Sequence, residues 1–306
     1  MAAETATEQF SAPGAPPLGL IEYLDVSRAS ETRLRQQTAF TGALLAEEIG
    51  YSRLWIPEYH ALGSPSTNPV LLAGVLGART TRIRLGTAVS LLRVRDPHLT
   101  AEDVVAAAAF CEGRFDLGFG RGNVGGAAAK ALSYLRKDDQ QLEVAIEQVV
   151  SILDDGTEWI EPIGSDYQLW LHGAGSRSAV LAGKLGFSYC HALFLNPDID
   201  VCERQFAEYR TLAPNSGKTA VALTLIANRD PARAMLDAFA QPHHVNCAGT
   251  PADCARTVVN ALRLTQADEV IIAELSGAPD DHFVALAEIF ALVGEEVAAS
   301  WSTSRV

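Results

Sequence analysis

Three short clusters of residues in this chain combine side chains that could do chemistry together. Glu58-Tyr59-His60 places a carboxylate, a phenol and an imidazole in succession, the groups that general acid–base chemistry uses. Gly120-Arg121-Gly122-Asn123 surrounds a guanidinium with small residues, and Gly173-Ala174-Gly175-Ser176-Arg177-Ser178 forms a glycine/serine turn. Such a turn entering a helix exposes backbone N–H groups to an anion. Because arginine binds an anion with a bidentate fork, the last two clusters predict a phosphate site.

Each cluster also has a simpler interpretation. Arg121 could be the partner of a structural ion pair, and Ser176 and Ser178 could cap a helix, which is compatible with phosphate binding. Gly120 to Gly125 matches the dinucleotide pattern G-x-G-x-x-G, but no acidic strand end follows about 20 residues on, as that fold requires. We therefore do not favour dinucleotide binding.

Histidines near strand ends raise the question of a metal site. Three of them, His60, His172 and His191, follow or end predicted strands, where they could bind metal or exchange protons. A lone histidine is more often a hydrogen-bonded structural residue, and no acidic ligand motif accompanies these three. His243-His244 with Cys247 is more typical of a loop beside the pocket, and the Cys247–Cys254 spacing matches no zinc signature. We expect no metal.

Alternating strand and helix patterns must position these clusters. Eight apolar, β-rich runs predict strands: Leu18–Leu24, Arg53–Ile56, Arg82–Leu92, Arg114–Phe119, Gln168–His172, Ser188–Leu193, Thr219–Ala227 and Glu269–Glu274. Helical patterns separate them: Arg33–Ile49, Pro69–Ala78, Leu99–Cys111, Gln140–Leu153, Arg177–Leu185, Val201–Tyr209, Thr250–Leu264 and Asp281–Val293. Alternation implies a parallel sheet, and eight repeats predict a (β/α)8 TIM barrel with its site at the carboxyl ends of the strands. A doubly wound open sheet is the alternative.

Composition narrows the class of protein. The chain has 306 residues, 48% of them hydrophobic and 20% charged, and a net charge of −13. The charge argues against nucleic acid and anionic membranes as partners. Five scattered cysteines do not form a disulfide framework, and the first 17 residues lack a signal peptide. We expect a flexible tail over 1–17, a single domain over 18–306, no membrane span and a cytoplasmic location.

The stretch from Arg82 to Asn123 carries the most specific pattern. It reads RIRLGTAVSLLRVRDPHLTAEDVVAAAAFCEGRFDLGFGRGN, with Asp96-Pro97 as a helix start and Gly113 as its end. Its motifs R-I-x-L-G-T-A, R-D-P, A-E-D, G-R-F and G-x-x-R-G resemble the luciferase-like flavin monooxygenases. Gly50–His60 and Leu169–Gly186 extend the resemblance, which covers roughly Leu18 to Gly294.

This resemblance implies a flavin site at the barrel mouth. In the family, reduced flavin mononucleotide (FMN) reacts with O2 to a C4a-peroxyflavin, which oxygenates an organic substrate. Arg121 resembles the phosphate-binding arginine, with Gly175, Ser176 and Ser178 as the other phosphate contacts; the cofactor set is completed by Gly120, Gly122, Asn123 and Ala174. Ala88-Val89 matches a dipeptide that lies under the flavin and is joined by a non-proline cis bond. A separate reductase and a homodimer, through helices beside the first strands, are also implied.

Two departures from the family pattern bear on activity. The family often shows Glu-His-His where this chain has Glu58-Tyr59-His60, so the catalytic role falls to Tyr59, to His60 or to their neighbour Glu58. The segment between Ala227 and Gly249 is shorter than the long mobile lid of luciferase, which makes light emission improbable and suits a bulky aromatic secondary metabolite. The alternatives are a deazaflavin-dependent hydride-transfer enzyme and a non-catalytic flavin-binding subunit.

Overall fold

A computed structural model describes residues 17–22, 32–60, 64, 66–122, 124–213, 217–241, 243–276 and 278–303. The predicted tail over 1–17 lies outside this part of the chain except for Pro17. Leu24, the predicted end of the first strand, and the candidate cofactor residue Asn123 also lie outside the described residues.

The described strands close into a parallel barrel. There are nine: β1 (Leu18–Ile21), β2 (Arg53–Ile56), β3 (Arg84–Thr87), β4 (Phe115–Phe119), β5 (Tyr167–Gly173), β6 (Ser188–Ala192), β7 (Thr219–Ala227), β8 (Cys247–Gly249) and β9 (Glu269–Glu274). Strands β1 to β6 pair in chain order, β6 pairs with β7, β7 with β9, and β9 with β1. These pairings leave no open edge among the eight strands, so the predicted (β/α)8 barrel is confirmed and the open sheet is excluded.

Helices surround the barrel. The described α-helices are α1 (Thr32–Ile49), α2 (Pro69–Gly77), α3 (Pro97–Ala108), α4 (Gly126–Ala131), α5 (Asp139–Asp155), α6 (Ser176–Leu185), α7 (Ile199–Leu212), α8 (Pro231–Phe239), α9 (Pro251–Thr265) and α10 (Pro279–Thr303). The eight predicted helices are present, and α4, α8 and the short strand β8 are additions. None of the helices within the described residues is both long and apolar enough to cross a bilayer.

The predicted strand Arg82–Leu92 was wrong at its carboxyl end. Strand β3 ends at Thr87, the Ala88–Val89 peptide bond that follows is cis, and Leu92–Val94 forms a 3-10 turn. Leu91, Leu92 and Val94 are buried in this irregular segment rather than in a ladder. Helix α3 then begins as predicted, because the Asp96 carboxylate accepts hydrogen bonds from the first-turn amides and Pro97 is the first helical residue.

A closed ion network fills the amino-terminal end of the barrel interior. Arg53 donates to Asp116 and, at 3.1 Å, to Glu269; Arg84 donates to Asp116 at 2.6 Å. The Arg53 guanidinium also lies over the rings of Trp55 and Trp170, at 5.2 and 4.8 Å from their centroids. The side chain of Arg53 is 3% exposed and that of Asp116 is fully buried. This end of the barrel is therefore sealed.

A second buried ion network lies at the carboxyl end, between β1, β9 and α10. His282 Nδ1 is 2.6 Å from Glu274 Oε2, and its Nε2 is 3.2 Å from Glu22 Oε2. Burial works to lower the pKa of His282, but the charges of Glu22 and Glu274 and their hydrogen bonds outweigh it and raise the pKa to about 10. The imidazolium thus ties α10 to two strand ends.

Candidate active site at the barrel mouth

A cleft at the carboxyl ends of β4 and β5 unites several of the predicted cofactor residues. It has a volume of about 320 Å³ counted out to solvent. Its lining combines charged groups with an apolar floor: Gly120, Arg121, Asp139, Leu142, Glu143, Ile146, Leu171, Arg177, Ser178 and Leu181. The arginine predicted after β4 and the serine predicted after β5 therefore face one cleft.

Two arginines reach this cleft from different elements. The side chain of Arg121, just after β4, is 58% exposed, and that of Arg177, in the first turn of α6, is 50% exposed. Arg177 donates to Asp139 Oδ2 at 2.6 Å and to Glu143 at 2.9 Å, whereas Arg121 is 4.0 Å from the same Asp139 oxygen. Among the described residues, Arg121 thus lacks the tight partner that a purely structural ion pair would show. Two guanidinium groups on one mouth suit a phosphate.

The turn after β5 presents an uncapped helix start. Gly175 is the N-cap of α6 and no side chain caps the helix, so neither Ser176 nor Ser178 has the capping role considered as the alternative. Ser178 is buried, and its amide donates to the Gly175 carbonyl at 3.0 Å. A Cβ on Gly173 would overlap the Ser178 hydroxyl, which explains a glycine there. The uncapped first turn has the N–H groups and positive dipole that favour an anion.

Two glycines at the end of β4 allow the backbone to pack closely beside the cis peptide. A Cβ on Gly120 would lie 3.0 Å from both the His172 carbonyl oxygen and Val89 Cγ1, so Gly120 directly adjoins the cis dipeptide. A Cβ on Gly118, two residues earlier in β4, would overlap the Thr87 carbonyl and approach His172 Nε2. The predicted non-proline cis bond at Ala88–Val89 is confirmed. Its place under a flavin stays a prediction.

Two buried polar atoms near Gly118 have no hydrogen-bond partner among the described residues. One is Ser90 Oγ, whose residue follows the cis dipeptide and donates its amide to the Gly118 carbonyl at 2.8 Å. The other is His172 Nε2, on a ring that packs edge-on to Trp55 with centroids 4.8 Å apart. Burial, reinforced by the charge of Arg53, lowers the pKa of His172 to about 3, so the ring is neutral. A buried polar atom without a partner requires an explanation, and a polar ligand is one.

The Glu58-Tyr59-His60 cluster is held by its glutamate. The buried Glu58 carboxylate accepts hydrogen bonds from Arg95 Nε at 2.8 Å and from the Leu91 amide at 2.9 Å, and lies 2.6 Å from His60 Nε2. Burial favours a raised pKa for Glu58, but the bonds from His60, Arg95 and the backbone outweigh it and hold its pKa below the ordinary value. A carboxylate with this many donors positions the segment after the cis bond. Tyr59 is 57% exposed.

The remaining histidines fall into two groups. His191 is fully buried, with Nδ1 2.9 Å from Gln205 Oε1 and Nε2 3.2 Å from the Asn196 carbonyl, so it is a hydrogen-bonded structural residue. His243 and His244 are exposed, in the segment between α8 and β8. Within the described ranges, no group of three histidines, cysteines or acidic residues could hold a metal ion.

Sequence reasoning missed the acidic side of the cleft. Asp139 and Glu143 come from α5, whose first residue is Asp139, and Arg93 comes from the 3-10 turn. Arg93 donates to the Asp139 carboxylate and also lines a second cleft with Arg121, Gly122 and Arg136. The signal available was the Asp138-Asp139 pair at the start of a predicted helix. Nothing in the sequence placed that start opposite Arg121. The predicted residues Ala174 and Gly175 are half-buried beside the cleft.

The fold and this mouth define a (β/α)8-barrel protein with a candidate anion site on β4 and α6. The family model of the luciferase-like monooxygenases matches residues 24–129. The N-acetyl-S-alkylcysteine monooxygenase of Bacillus subtilis is 30% identical over 171 residues, 52% of this chain and 51% of that protein. The aligned part spans just over half of the length of the curated relatives, 61% and 56% for two of them.

Solved structures with the same fold include two with different cofactors in their descriptions. The oxygenating constituent of 3,6-diketocamphane monooxygenase from Pseudomonas putida, in complex with FMN, superposes with a TM-score of 0.74 at 15% identity, over 92% of this chain and 98% of that one. The coenzyme F420-dependent tetrahydromethanopterin reductase of Methanopyrus kandleri reaches 0.65 at 13% identity, over 92% and 99%. The chain is thus similar to the luciferase-like monooxygenases in sequence and in fold, which confirms the resemblance predicted from its motifs.

Proposed function

We propose that this protein is a monooxygenase that uses reduced FMN and O2 to oxygenate an organic substrate. The observation that carries the proposal is the pair of guanidinium groups, Arg121 and Arg177, that reach one cleft, whose lining includes Gly120 next to the cis dipeptide. A flavin mononucleotide has a dianionic phosphate at one end and a flat ring at the other. The two halves of the mouth match these two ends.

The residues present fit the cofactor. Arg121, Arg177 and the uncapped start of α6 would hold the phosphate, with Ser178 at the base of the cleft. The ring would lie next to the cis dipeptide Ala88–Val89, which Gly120 adjoins. Ser90 Oγ and the neutral His172 imidazole supply polar atoms that have no hydrogen-bond partner within the described part of the chain. When bound, reduced flavin supplies the electrons that activate O2.

The chain's own residues would then position the substrate and donate protons to it. Glu58 holds the Leu91 amide and Arg95 in place and so orders the wall beside the cis dipeptide. Tyr59 and His60 are the candidate proton donors on the same side, and the Glu58 carboxylate, 2.6 Å from His60 Nε2, orients that ring. We retain Tyr59 as a hydrogen-bond donor to a substrate oxygen, because a phenol is a poor base at neutral pH.

The proposal also includes a separate reductase, a class of substrate and a location in the cell. The named relative at 30% identity is a monooxygenase, which supports oxygen chemistry over hydride transfer. Reduction of the flavin then requires an external NAD(P)H-dependent partner in the same compartment, for which we propose the cytoplasm. A bulky aromatic secondary metabolite remains our proposed substrate, because the segment between β7 and β8, residues 228–246, is short.

The phosphate assignment is tested by replacing Arg121 with alanine. Arg121→Ala should weaken FMN binding by about 1.5–3 kcal/mol, which is roughly 10- to 150-fold, while leaving riboflavin binding unchanged. Isothermal titration calorimetry with both ligands provides the measurement. Equal losses for FMN and riboflavin, or no loss at all, would contradict the assignment.

Oxygenation is tested separately from binding. The wild-type protein is mixed with reduced FMN, O2 and a panel of aromatic substrates, and products are examined by mass spectrometry with 18O-labelled O2. Incorporation of one labelled oxygen atom supports the monooxygenase. If reduced deazaflavin binds more tightly than reduced FMN and no label is incorporated, the deazaflavin-dependent hydride-transfer alternative takes its place. Binding without either reaction supports the non-catalytic subunit.

We also propose a homodimer through α2 and α3. These adjacent helices expose apolar side chains, among them Leu71 at 61% and Leu99 at 63%, with Phe110 at 58% just beyond α3. Light scattering after size-exclusion chromatography should give twice the 32.7 kDa mass of the chain. Leu71→Glu should shift the protein to the monomer, since a charge would be buried at the contact.

A further inference from the structure

One carboxylate of the candidate phosphate cleft stands where an anion would bind. Asp139, the first residue of α5, accepts hydrogen bonds from Arg93 through Oδ1 and from Arg177 through Oδ2, the latter at 2.6 Å. The same Oδ2 is 4.0 Å from Arg121 Nη1. A single oxygen atom is thus reached by both arginines that the proposed function assigns to the phosphate.

A second carboxylate completes this arrangement. Glu143, one turn further along α5, accepts from Arg177 Nε at 3.2 Å and from its Nη2 at 2.9 Å. Both sides of the Arg177 guanidinium are therefore engaged by acids of the same helix. An incoming phosphate therefore competes with these carboxylates for the N–H groups of Arg177.

The ion pairs of Arg177 with Asp139 and Glu143 can be exchanged for contacts with another anion. The side chains of Arg177 and Asp139 are 50% and 30% exposed. Ion pairs between such exposed groups contribute little to stability, because water and salt screen them. A dianion gains more from the two guanidinium groups than the monoanionic Asp139 does, so displacement is favourable, but it is opposed by repulsion between the phosphate and the two carboxylates.

We propose that Asp139 is an internal competitor for the phosphate of the flavin, and that it keeps the affinity low enough for the flavin to exchange between this protein and its reductase. The inference rests on the proposed function, since it concerns the same cleft. It deepens that function by assigning the flavin as a dissociable co-substrate. Asp139 determines this property through charge, without touching the reacting atoms.

Asp139 is charged whenever a ligand approaches. The hydrogen bond from Arg93, together with the charges of Arg177 and Arg121, holds the pKa of Asp139 below its ordinary range. Helix α5 does not depend on this carboxylate for its start. Asp138 is the N-cap, and its side chain and that of Gln141 form a capping box. Neutralising Asp139 therefore changes the charge of the cleft and leaves the helix terminus intact.

A positioning role for Asp139 predicts the opposite result. If Asp139 instead held the arginines in the orientation that binds phosphate, its neutralisation would loosen them and weaken binding. The shared oxygen favours competition, because a positioning carboxylate would bind the arginines on the side away from the ligand. The sign of the affinity change separates the two roles.

The experiment compares FMN and riboflavin binding to the wild-type protein, Asp139→Asn and Glu143→Gln. Asp139→Asn should bind FMN at least about fivefold more tightly, the effect of removing one like charge about 4 Å from the phosphate in a water-like medium. Glu143→Gln should shift FMN affinity in the same direction by a smaller factor. Riboflavin, which lacks the phosphate, should bind all three proteins equally.

Glu147→Gln is the matched control. Glu147 lies one turn beyond Glu143 on α5, is exposed and does not line the cleft, so its neutralisation changes the net charge equally and should leave FMN affinity unaltered. Unchanged or weaker FMN binding by a folded Asp139→Asn protein, with wild type still preferring FMN to riboflavin, overturns the competition and leaves the phosphate site standing. Equal binding of FMN and riboflavin by wild type overturns the phosphate site itself.

Discussion

Two arginine–carboxylate networks occupy opposite ends of the same barrel, and they differ in almost everything except their chemistry. At the amino-terminal end, Arg53 and Asp116 are nearly inaccessible, and Arg53 is enclosed by two tryptophan rings. At the carboxyl-terminal end, the side chains of Arg121 and Arg177 are 58% and 50% exposed, and both lie near the carboxylate of Asp139. One network is sealed by packing and the other is open to solvent.

The difference shows that the surroundings of an ion pair decide its role. Sealed charges cannot be left without their partner, because the uncompensated ion would remain in a low-dielectric interior. Open charges lose little when separated, so they can exchange one anion for another. The barrel therefore has a structural end and an exchangeable end, in keeping with the general location of TIM-barrel sites at the carboxyl ends of strands.

The largest expected effect comes from making the same substitution at both ends. Arg53→Met should lower the free energy of unfolding by about 3–5 kcal/mol, because Asp116 and Glu269 lose a buried cation. Arg121→Met should change it by less than about 0.5 kcal/mol. Urea unfolding followed by circular dichroism measures both, and similar losses for the two variants would contradict the comparison.

A smaller effect on stability tests whether burial, rather than position along the barrel axis, makes an ion pair structural. His282 lies at the carboxyl end, like Arg121, but its side chain is only 4% exposed between Glu22 and Glu274. Because the pKa of His282 is raised to about 10, the native state keeps a proton that the unfolded chain loses near pH 6.5. The stabilisation is fully present below pH 6.5 and is lost as the pH rises through 10.

His282→Gln tests this directly. We expect the variant to be less stable than wild type by on the order of 3 kcal/mol at pH 6, and the gap to close as the pH approaches 10.5. Unfolding free energies measured across this range for both proteins provide the check. A gap that is constant with pH would show that His282 contributes packing alone.

The smallest effect concerns salt. Raising the ionic strength from about 0.05 to 0.5 M shortens the Debye length severalfold, so FMN affinity should fall by roughly tenfold if the open network binds its phosphate. Riboflavin affinity should be insensitive to the same change. The difference between wild type and Arg53→Met in unfolding free energy should also persist, because buried charges are screened little. FMN binding that does not depend on salt would contradict the assignment of the phosphate site to the open network.

The barrel was predicted well because each of its strands and helices has a signal in the local sequence. Alternating buried strands and helical patterns specify a closed parallel sheet, and Asp96-Pro97 marks the start of α3. Strand β3 was predicted too long, since apolar composition cannot distinguish a ladder from a buried irregular segment. Helix α8 was missed although Asp230-Pro231 gives it the same start signal as α3.

The site was predicted only in part, because some of its residues belong to local sequence motifs and others are brought there only by the fold. Arg121 and Ser178 lie in glycine-rich turns, which are visible as local motifs. Asp139 carries no motif, and its meaning comes from the fold, which brings the start of α5 against Arg177, 38 residues later in the chain. The role of Glu58 was likewise invisible, since its partner Arg95 is 37 residues away.

The glycines at the end of β4 also bear on how this protein could be altered by directed evolution. Gly118 and Gly120 meet backbone carbonyls of neighbouring strands, so no side chain can be added there without moving the barrel itself. Across the mouth, α8 packs Ala238 against the barrel interior while Leu236 and Phe239 are 67% and 83% exposed. Libraries aimed at new substrates should therefore yield active variants on α8 and almost none on β4.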